Sequence, residues 1–238
     1  MPVKLVVFDF DQTLSAVHVF KLLAGWPCSG SVKVGWPHAT TELGQISRSM
    51  ELDEVSDCKD GGGFSLVAFG GQDRVQLLLG LLRDLGKSGV PVVICTRGFV
   101  GLVRKMLSDV GLLSYISFVY GVLEGAAATD YDRSVAEAAS RPEVSRHLGE
   151  PAAAEWTTKA GLIARLAEER GLAKEEVLFA DDDAAEIQGA AEVCSTLWVE
   201  DAQGLTAEHV TAIRCLVGCP QEDVRAEHRP SDCTCVVC

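Results

Sequence analysis

The sequence is short of basic residues. Its 238 residues hold 21 Lys and Arg against 34 Asp and Glu, a formal charge of −13 with a pI near 4.8. Non-specific nucleic-acid binding needs a basic face that displaces counterions, so no nucleic-acid partner is expected. The same deficit repels phosphorylated ligands at long range. A phosphate site in this chain has to be locally positive, built from a few Lys or Arg side chains, backbone N–H groups or a metal. Long hydrophobic runs are missing too: nothing reaches the roughly 18–20 apolar residues that cross a bilayer. The N-terminal Met1-Pro2-Val3-Lys4-Leu5 passes into an apolar strand with no small-residue cleavage site, which argues against a signal peptide. A disulfide framework is also lacking, because the nine cysteines are odd in number and irregularly scattered. Cys95 and Cys194 sit in or beside apolar runs and read as buried thiols, so a reduced, cytoplasmic protein is expected. The chain contains no internal repeat.

What is present is enough apolar material for a sizeable core, 47% of the residues. At about 100–200 residues per domain, the length allows one large domain, or a domain with an accessory part. Residues 3–8 form a short apolar run rich in β-branched side chains, as in a strand buried on both faces. Similar runs follow at 90–95, 116–120 and 177–180, with a weaker one at 196–199. Helical spacing of apolar residues occupies 74–85, 100–110 and 158–170, the last stopping at Gly171, a good C-terminal cap. Such alternation predicts an α/β fold, a doubly wound and mostly parallel sheet. Residues 17–72, broken by Gly61-Gly62-Gly63 and Gly70-Gly71, are too long for an ordinary connection and read as an inserted cap or functional loop. Trp26, Trp36 and Phe64 are its aromatic candidates for lining a site. Residues 121–156 read as a surface excursion with a short helix. The expected division is therefore a domain over 1–217, containing the 17–72 insert, and a flexible Cys-containing tail over 218–238.

The chemistry gathers where predicted strands end. Asp9 and Asp11 follow the first strand in Phe8-Asp9-Phe10-Asp11-Gln12-Thr13-Leu14, at alternate positions that share a direction if extension continues. Two acids at the end of an apolar strand are costly unless they bind something. Thr96 ends the run Val92-Val93-Ile94-Cys95, ahead of Arg97 and Gly98, and by itself would serve equally as a helix N-cap. Asp181-Asp182-Asp183 follows Leu178-Phe179-Ala180; a solvated first helical turn accounts for one or two of these acids but poorly for three. Lys159 opens the helix before that strand, so the helix runs down from the edge to which the strand returns. Asp9, Asp11, Thr96, Lys159, Asp181 and Asp182 thus share the carboxyl edge of one sheet, where open α/β sheets bind ligands. His18 and His38 have no second metal-ligand pattern around them and read as incidental.

These four motifs, in this order, resemble the haloacid-dehalogenase-like phosphohydrolase superfamily, over residues 3 to about 199. Residues 157–199 look most like its small magnesium-dependent phosphatases, from which the chain departs in its long insert and in having Glu186 where they tend to have Asn. The resemblance implies a Mg²⁺-dependent phosphomonoester hydrolase. Asp9 would be the nucleophile that becomes an aspartyl-phosphate, and Asp11 the general acid and base. Mg²⁺ would be held by Asp9, the Asp11 carbonyl, Asp182 and Asp181, with Asp181 also orienting Lys159 and Glu186 reaching the metal through water. Thr96, Arg97, Gly98 and Lys159 would form the phosphate site, Gly98 by letting the backbone approach. An acid two residues after the nucleophile speaks for phosphoryl transfer over dehalogenation, and leaves a phosphomutase as an alternative. A non-catalytic interaction protein that keeps the fold is the alternative of another class. A phosphorylated small molecule is the favoured partner over a phosphoprotein, because a closing lid suits a ligand it can enclose. In the tail, Cys233, Cys235 and Cys238 allow three readings: a prenylation box that would bring the chain to a membrane, a metal clip with Cys219, or a flexible reduced end, which is favoured.

Overall fold

In the structure, a computed structural model describing residues 2–28, 32–55, 62–136, 142–200 and 203–218, five parallel strands form one sheet. They are β1 (Leu5–Phe8), β2 (Val92–Phe99), β3 (Phe118–Val122), β4 (Val177–Asp181) and β5 (Ser195–Trp198), in the order β3-β2-β1-β4-β5. The α/β, doubly wound reading of the sequence is correct. β1 lies at the centre because both of its faces are apolar. Val6 and Phe8 join one core with Ile94, Leu178 and Ala180, while Leu5 and Val7 join the other with Val93 and Phe179. Helices α4 (Gln72–Lys87), α5 (Val100–Asp109) and α10 (Ala207–Val217) cover the first face, and α8 (Lys159–Arg170) covers the second. Thr158 caps α8 by accepting the Gly161 N–H at 3.0 Å, and Gly171 ends it in the left-handed conformation at φ 62°. Cys95 and Cys194 are buried and unpaired. Among the described residues no helix is long and apolar enough to cross a membrane.

Two expectations change. The second strand does not end at Cys95. It continues through Thr96, Arg97 and Gly98 to Phe99, with a shift of register against β3 between Cys95 and Phe99. The shift is a local irregularity that apolar periodicity does not reveal. Thr96 is therefore a strand residue, and Phe99, not Thr96, occupies the N-cap position of α5.

The stretches 17–72 and 121–156 are not separate excursions. The first contains α1 (Val19–Ala24), α2 (Glu42–Asp53) and α3 (Phe64–Ala68), and the second contains the short helices α6 (Asp130–Ala136) and α7 (Pro142–Ser145). The buried carboxylate of Asp132 joins them by accepting the Thr40 N–H at 3.0 Å, the Thr41 hydroxyl at 2.8 Å and the Thr129 N–H at 2.8 Å. Buried Glu42 fastens the pair to the sheet domain by accepting the Gly101 N–H of α5 at 2.6 Å. A side chain at Gly101 would meet Ile46 of α2 at 2.9 Å and the His147 carbonyl at 2.7 Å, so the close approach requires glycine. Phe64 is buried in the main core, whereas Trp36 is 82% exposed and lines no site described here. The tail residues Cys219, Cys233, Cys235 and Cys238 lie outside the described residues.

Burial raises the Asp132 carboxyl, but hydrogen bonds from the Thr129 and Thr40 N–H groups outweigh it and hold it below the ordinary value. Stability from this group is present above the unfolded pKa and is lost as pH falls through the folded one. Asp132→Ala should cost about 2–3 kcal/mol at neutral pH in urea unfolding. The cost should shrink as pH drops below about 4. A cost independent of pH would show that the mutation acts through packing instead of charge.

Candidate active site

Asp9 extends the central strand by one residue, its N–H donating to the Ala180 carbonyl at 2.9 Å. Asp9 and Asp11 are both extended, and the chain then reverses at Gln12, a non-glycine residue in the left-handed region at φ 58°. Ser15 holds that reversal: its hydroxyl donates to the Val17 carbonyl at 2.7 Å and accepts the Gln12 N–H at 3.2 Å. Arg74 holds it from outside, donating to the carbonyls of Leu14 at 2.6 Å, Phe69 at 2.8 Å and Thr13 at 3.0 Å. Burial lowers the Arg74 guanidinium to about 10.

All six carboxyl-edge residues, Asp9, Asp11, Thr96, Lys159, Asp181 and Asp182, line one cavity of about 200 Å³. It opens where the chain order reverses between β1 and β4, the crevice that open α/β sheets use. Lys159 is 3% exposed, and its Nζ donates to Asp9 Oδ1 and Asp181 Oδ2, each at 2.6 Å. Burial works against the ammonium, but the two carboxylates outweigh it and raise its pKa, so Lys159 stays charged. Asp181 spends its other oxygen on the Asp183 N–H at 2.8 Å, and Asp183 caps α9 (Ala184–Ala190) through the Ala185 N–H at 2.8 Å. The three consecutive acids therefore divide their work: one on Lys159, one in the cavity, one at a helix end. The Thr96 hydroxyl oxygen accepts the Gly98 N–H at 3.0 Å, which leaves its proton to donate. A Cβ at Gly98 would lie 3.4 Å from Thr96 Oγ1 and 3.5 Å from Asp11 Oδ2, in the space between them.

Asp11 stands apart from the other acids. Its Oδ1 accepts the Val19 N–H at 2.6 Å, and its Oδ2 lies 3.3 Å from His18 Nδ1. Arg97 lines the cavity from its rim, paired with Glu186 at 3.2 Å, donating to the Thr157 carbonyl at 3.2 Å and lying 4.8 Å over the Trp156 ring. Sequence reasoning set His18 aside and passed over Lys21 and Arg74. His18 and Lys21 both line the cavity. Their three-residue spacing just after the Asp9–Asp11 motif, one helical turn, was the available signal. Arg74 carried none, since its partners are backbone carbonyls.

Asp9, Asp181 and Asp182 each offer an oxygen within 4.8 Å of the others. Burial is the chief cause that raises all three carboxyls. Nearby Asp11 adds to it at Asp9, Asp9 adds to it at Asp181, and Asp181 adds to it at Asp182, which reaches about 6. One lysine does not neutralise this cluster. An all-carboxylate set with surplus negative charge fits a hard divalent cation such as Mg²⁺.

No family model and no curated protein matches the chain. Solved structures do. A haloacid dehalogenase-like hydrolase from Streptococcus pneumoniae is 17% identical, with 88% of this chain and 90% of that one covered and a TM-score of 0.42. A hydrolase of the same superfamily from Ehrlichia chaffeensis is 13% identical, covering 91% and 97%, at 0.44. A phosphoserine phosphatase in its apo form is 14% identical, covering 82% and 84%, at 0.41.

Because the folded carboxyl of Asp182 lies above the unfolded value of about 3.9, the folded chain binds protons more tightly than the unfolded one. Its contribution to stability is full below about pH 4 and is lost as pH rises through about 6. In chelator, Asp182→Asn should therefore gain melting temperature over the parent as pH rises from 4 to 7. Millimolar Mg²⁺ should raise the parent's melting temperature more than the variant's. Parallel melting curves in both comparisons would exclude a cation at this cluster.

Proposed function

We propose that this chain is a Mg²⁺-dependent phosphomonoester hydrolase that works through an aspartyl-phosphate on Asp9. The observation that carries this reading is Lys159, held between Asp9 and Asp181 in a cavity that also presents Asp11, Thr96 and Asp182. Held by Asp9 and Asp182, with Asp181 alongside, Mg²⁺ would supply the positive charge that lets a carboxylate approach an anionic ester. A carboxylate oxygen of Asp9 forms a bond to phosphorus as the ester P–O bond breaks, and the leaving oxygen takes a proton from Asp11. Asp11, now a carboxylate, removes a proton from the water that attacks the aspartyl-phosphate. Phosphate departs and Asp9 is regenerated. Asp11 Oδ1 is committed to the Val19 N–H, so Oδ2 is the oxygen left to carry the proton. Lys159 fixes one oxygen of Asp9 and, with the free Thr96 proton, offers positive charge to the phosphoryl oxygens.

The helices of 17–72 serve as a cap in this reading, and the domain runs over 1–217. A cavity of about 200 Å³ suits a phosphoryl group with a compact leaving group, which favours a small metabolite over a phosphoprotein.

Purified protein should release phosphate from p-nitrophenyl phosphate with Mg²⁺ and stop in chelator. Asp9→Asn should lose at least about 10³-fold, because no nucleophile replaces the carboxylate. Thr96→Ala should lose about 10–10²-fold, one phosphate contact. An Asp9→Asn protein as active as the parent would overturn the mechanism.

A further inference from the structure

The cavity's positive groups are not equivalent. Lys159 is matched by Asp9 and Asp181, Arg97 by Glu186, and His18 faces Asp11. Lys21 lines the same cavity and, among the described residues, forms no ion pair or side-chain hydrogen bond. It does so in a chain with 34 acids to 21 bases, where an unmatched lysine within an acidic cavity runs against composition.

Its position follows from the chain. Lys21 lies one helical turn beyond His18, on the same side of α1. The buried residues of that helix, Val19, Leu22 and Leu23, face the core. Asp11 is fastened to α1 through the Val19 N–H at 2.6 Å and lies beside His18. An acid that protonates the leaving oxygen has the leaving group next to it. The residues that follow Asp11 in α1 therefore meet the leaving group, while Thr96 and Lys159 take the phosphoryl group in the reading above.

We infer that Lys21 is a specificity-determining residue, and that the preferred substrate is a compact phosphomonoester whose leaving group carries a second anion, a carboxylate or another phosphate. This rests on the hydrolase reading above and adds the class of leaving group. Acidic surroundings make the discrimination sharp: elsewhere in the cavity a second anion meets carboxylates or cations already facing them, and at Lys21 it meets an ammonium with no acid partner among the described residues.

Three esters with the same three-carbon spacing test it: propyl phosphate, 3-(phosphonooxy)propanoate and propane-1,3-diol bisphosphate. The readout is the ratio of kcat/KM for each charged ester to that for propyl phosphate. In the parent at least one ratio should be about 10 to 100, the range of one charge-assisted hydrogen bond. The larger of the two identifies the anion as carboxylate or phosphate. Lys21→Met should bring the ratios to about 1, Lys21→Glu below 1, and Lys21→Arg should keep most of the preference. Binding of the same esters to Asp9→Asn protein with Mg²⁺, followed by calorimetry with and without Lys21→Met, reads recognition without turnover. Parent ratios at or below 1, or ratios unmoved by Lys21→Met, overturn the inference and leave the hydrolase reading intact. No turnover of any ester, with tighter binding of a charged ester that is lost in Lys21→Met, overturns the hydrolase reading and upholds the role of Lys21. Neither turnover nor charge-dependent binding overturns both.

Discussion

Lys159 carries one positive charge into a place where three chain segments meet: the end of β1, the end of β4 and the start of α8. Taking a lysine and two carboxylates out of water costs several kcal/mol per ion, and their attraction compensates only if the geometry is good. Two contacts of 2.6 Å supply that geometry. The arrangement still leaves one negative charge unmatched, and this adds to burial, the larger cause, in holding the Asp9 and Asp181 carboxyls above their ordinary range. A hydrophobic triad of the same volume would serve stability as well or better. What the triad provides instead is a fixed carboxylate at the end of a strand and a deficit of positive charge beside it. A divalent cation and an anionic ester together meet both conditions.

The helical region is coupled to this point through Asp11. Its carboxylate accepts the first N–H of α1, so the acid's position and the helix's position are one variable. Gln12 in the left-handed region, the Ser15 hydroxyl and the Arg74 guanidinium fix the turn that delivers Asp11. From there Asp132 and Glu42 carry the connection to α6 and α5. Any shift of α1 over the cavity must move through these hydrogen bonds, and it would carry His18 and Lys21 with it.

The sheet was legible because each strand is a short apolar run bounded by polar residues, and because β1 is buried on both faces and needs no alternation. Asp9, Lys159, Asp181 and Asp182 were legible for a related reason: strand ends and helix starts in a parallel sheet sort residues to one edge. What stayed hidden depended on backbone detail or on long-range polar contacts. The register shift after Cys95 has no signature in hydropathy, so Thr96 read as a strand end. Asp132 carried no signal in the sequence, because its partners Thr40 and Thr41 lie about ninety residues away and come together only on folding. His18 was discarded for want of a metal pattern, although its contact is a carboxylate already singled out, seven residues earlier.

The net charge of −13 and an anionic ligand are compatible because the two act over different distances. Overall charge acts beyond a Debye length of about 8–10 Å only weakly at physiological salt. Inside the cavity the dielectric is lower and individual pairs decide. There the cations already committed to acids, Lys159 and Arg97, set positions and rim shape more than they attract. Attraction would come from charges left unmatched: a cation held by the surplus carboxylates, and the ammonium of Lys21, which has no ion pair among the described residues. On the proposed reading, a site built this way would be weak toward anions until a cation is bound, and would then discriminate among them by where their second charge falls.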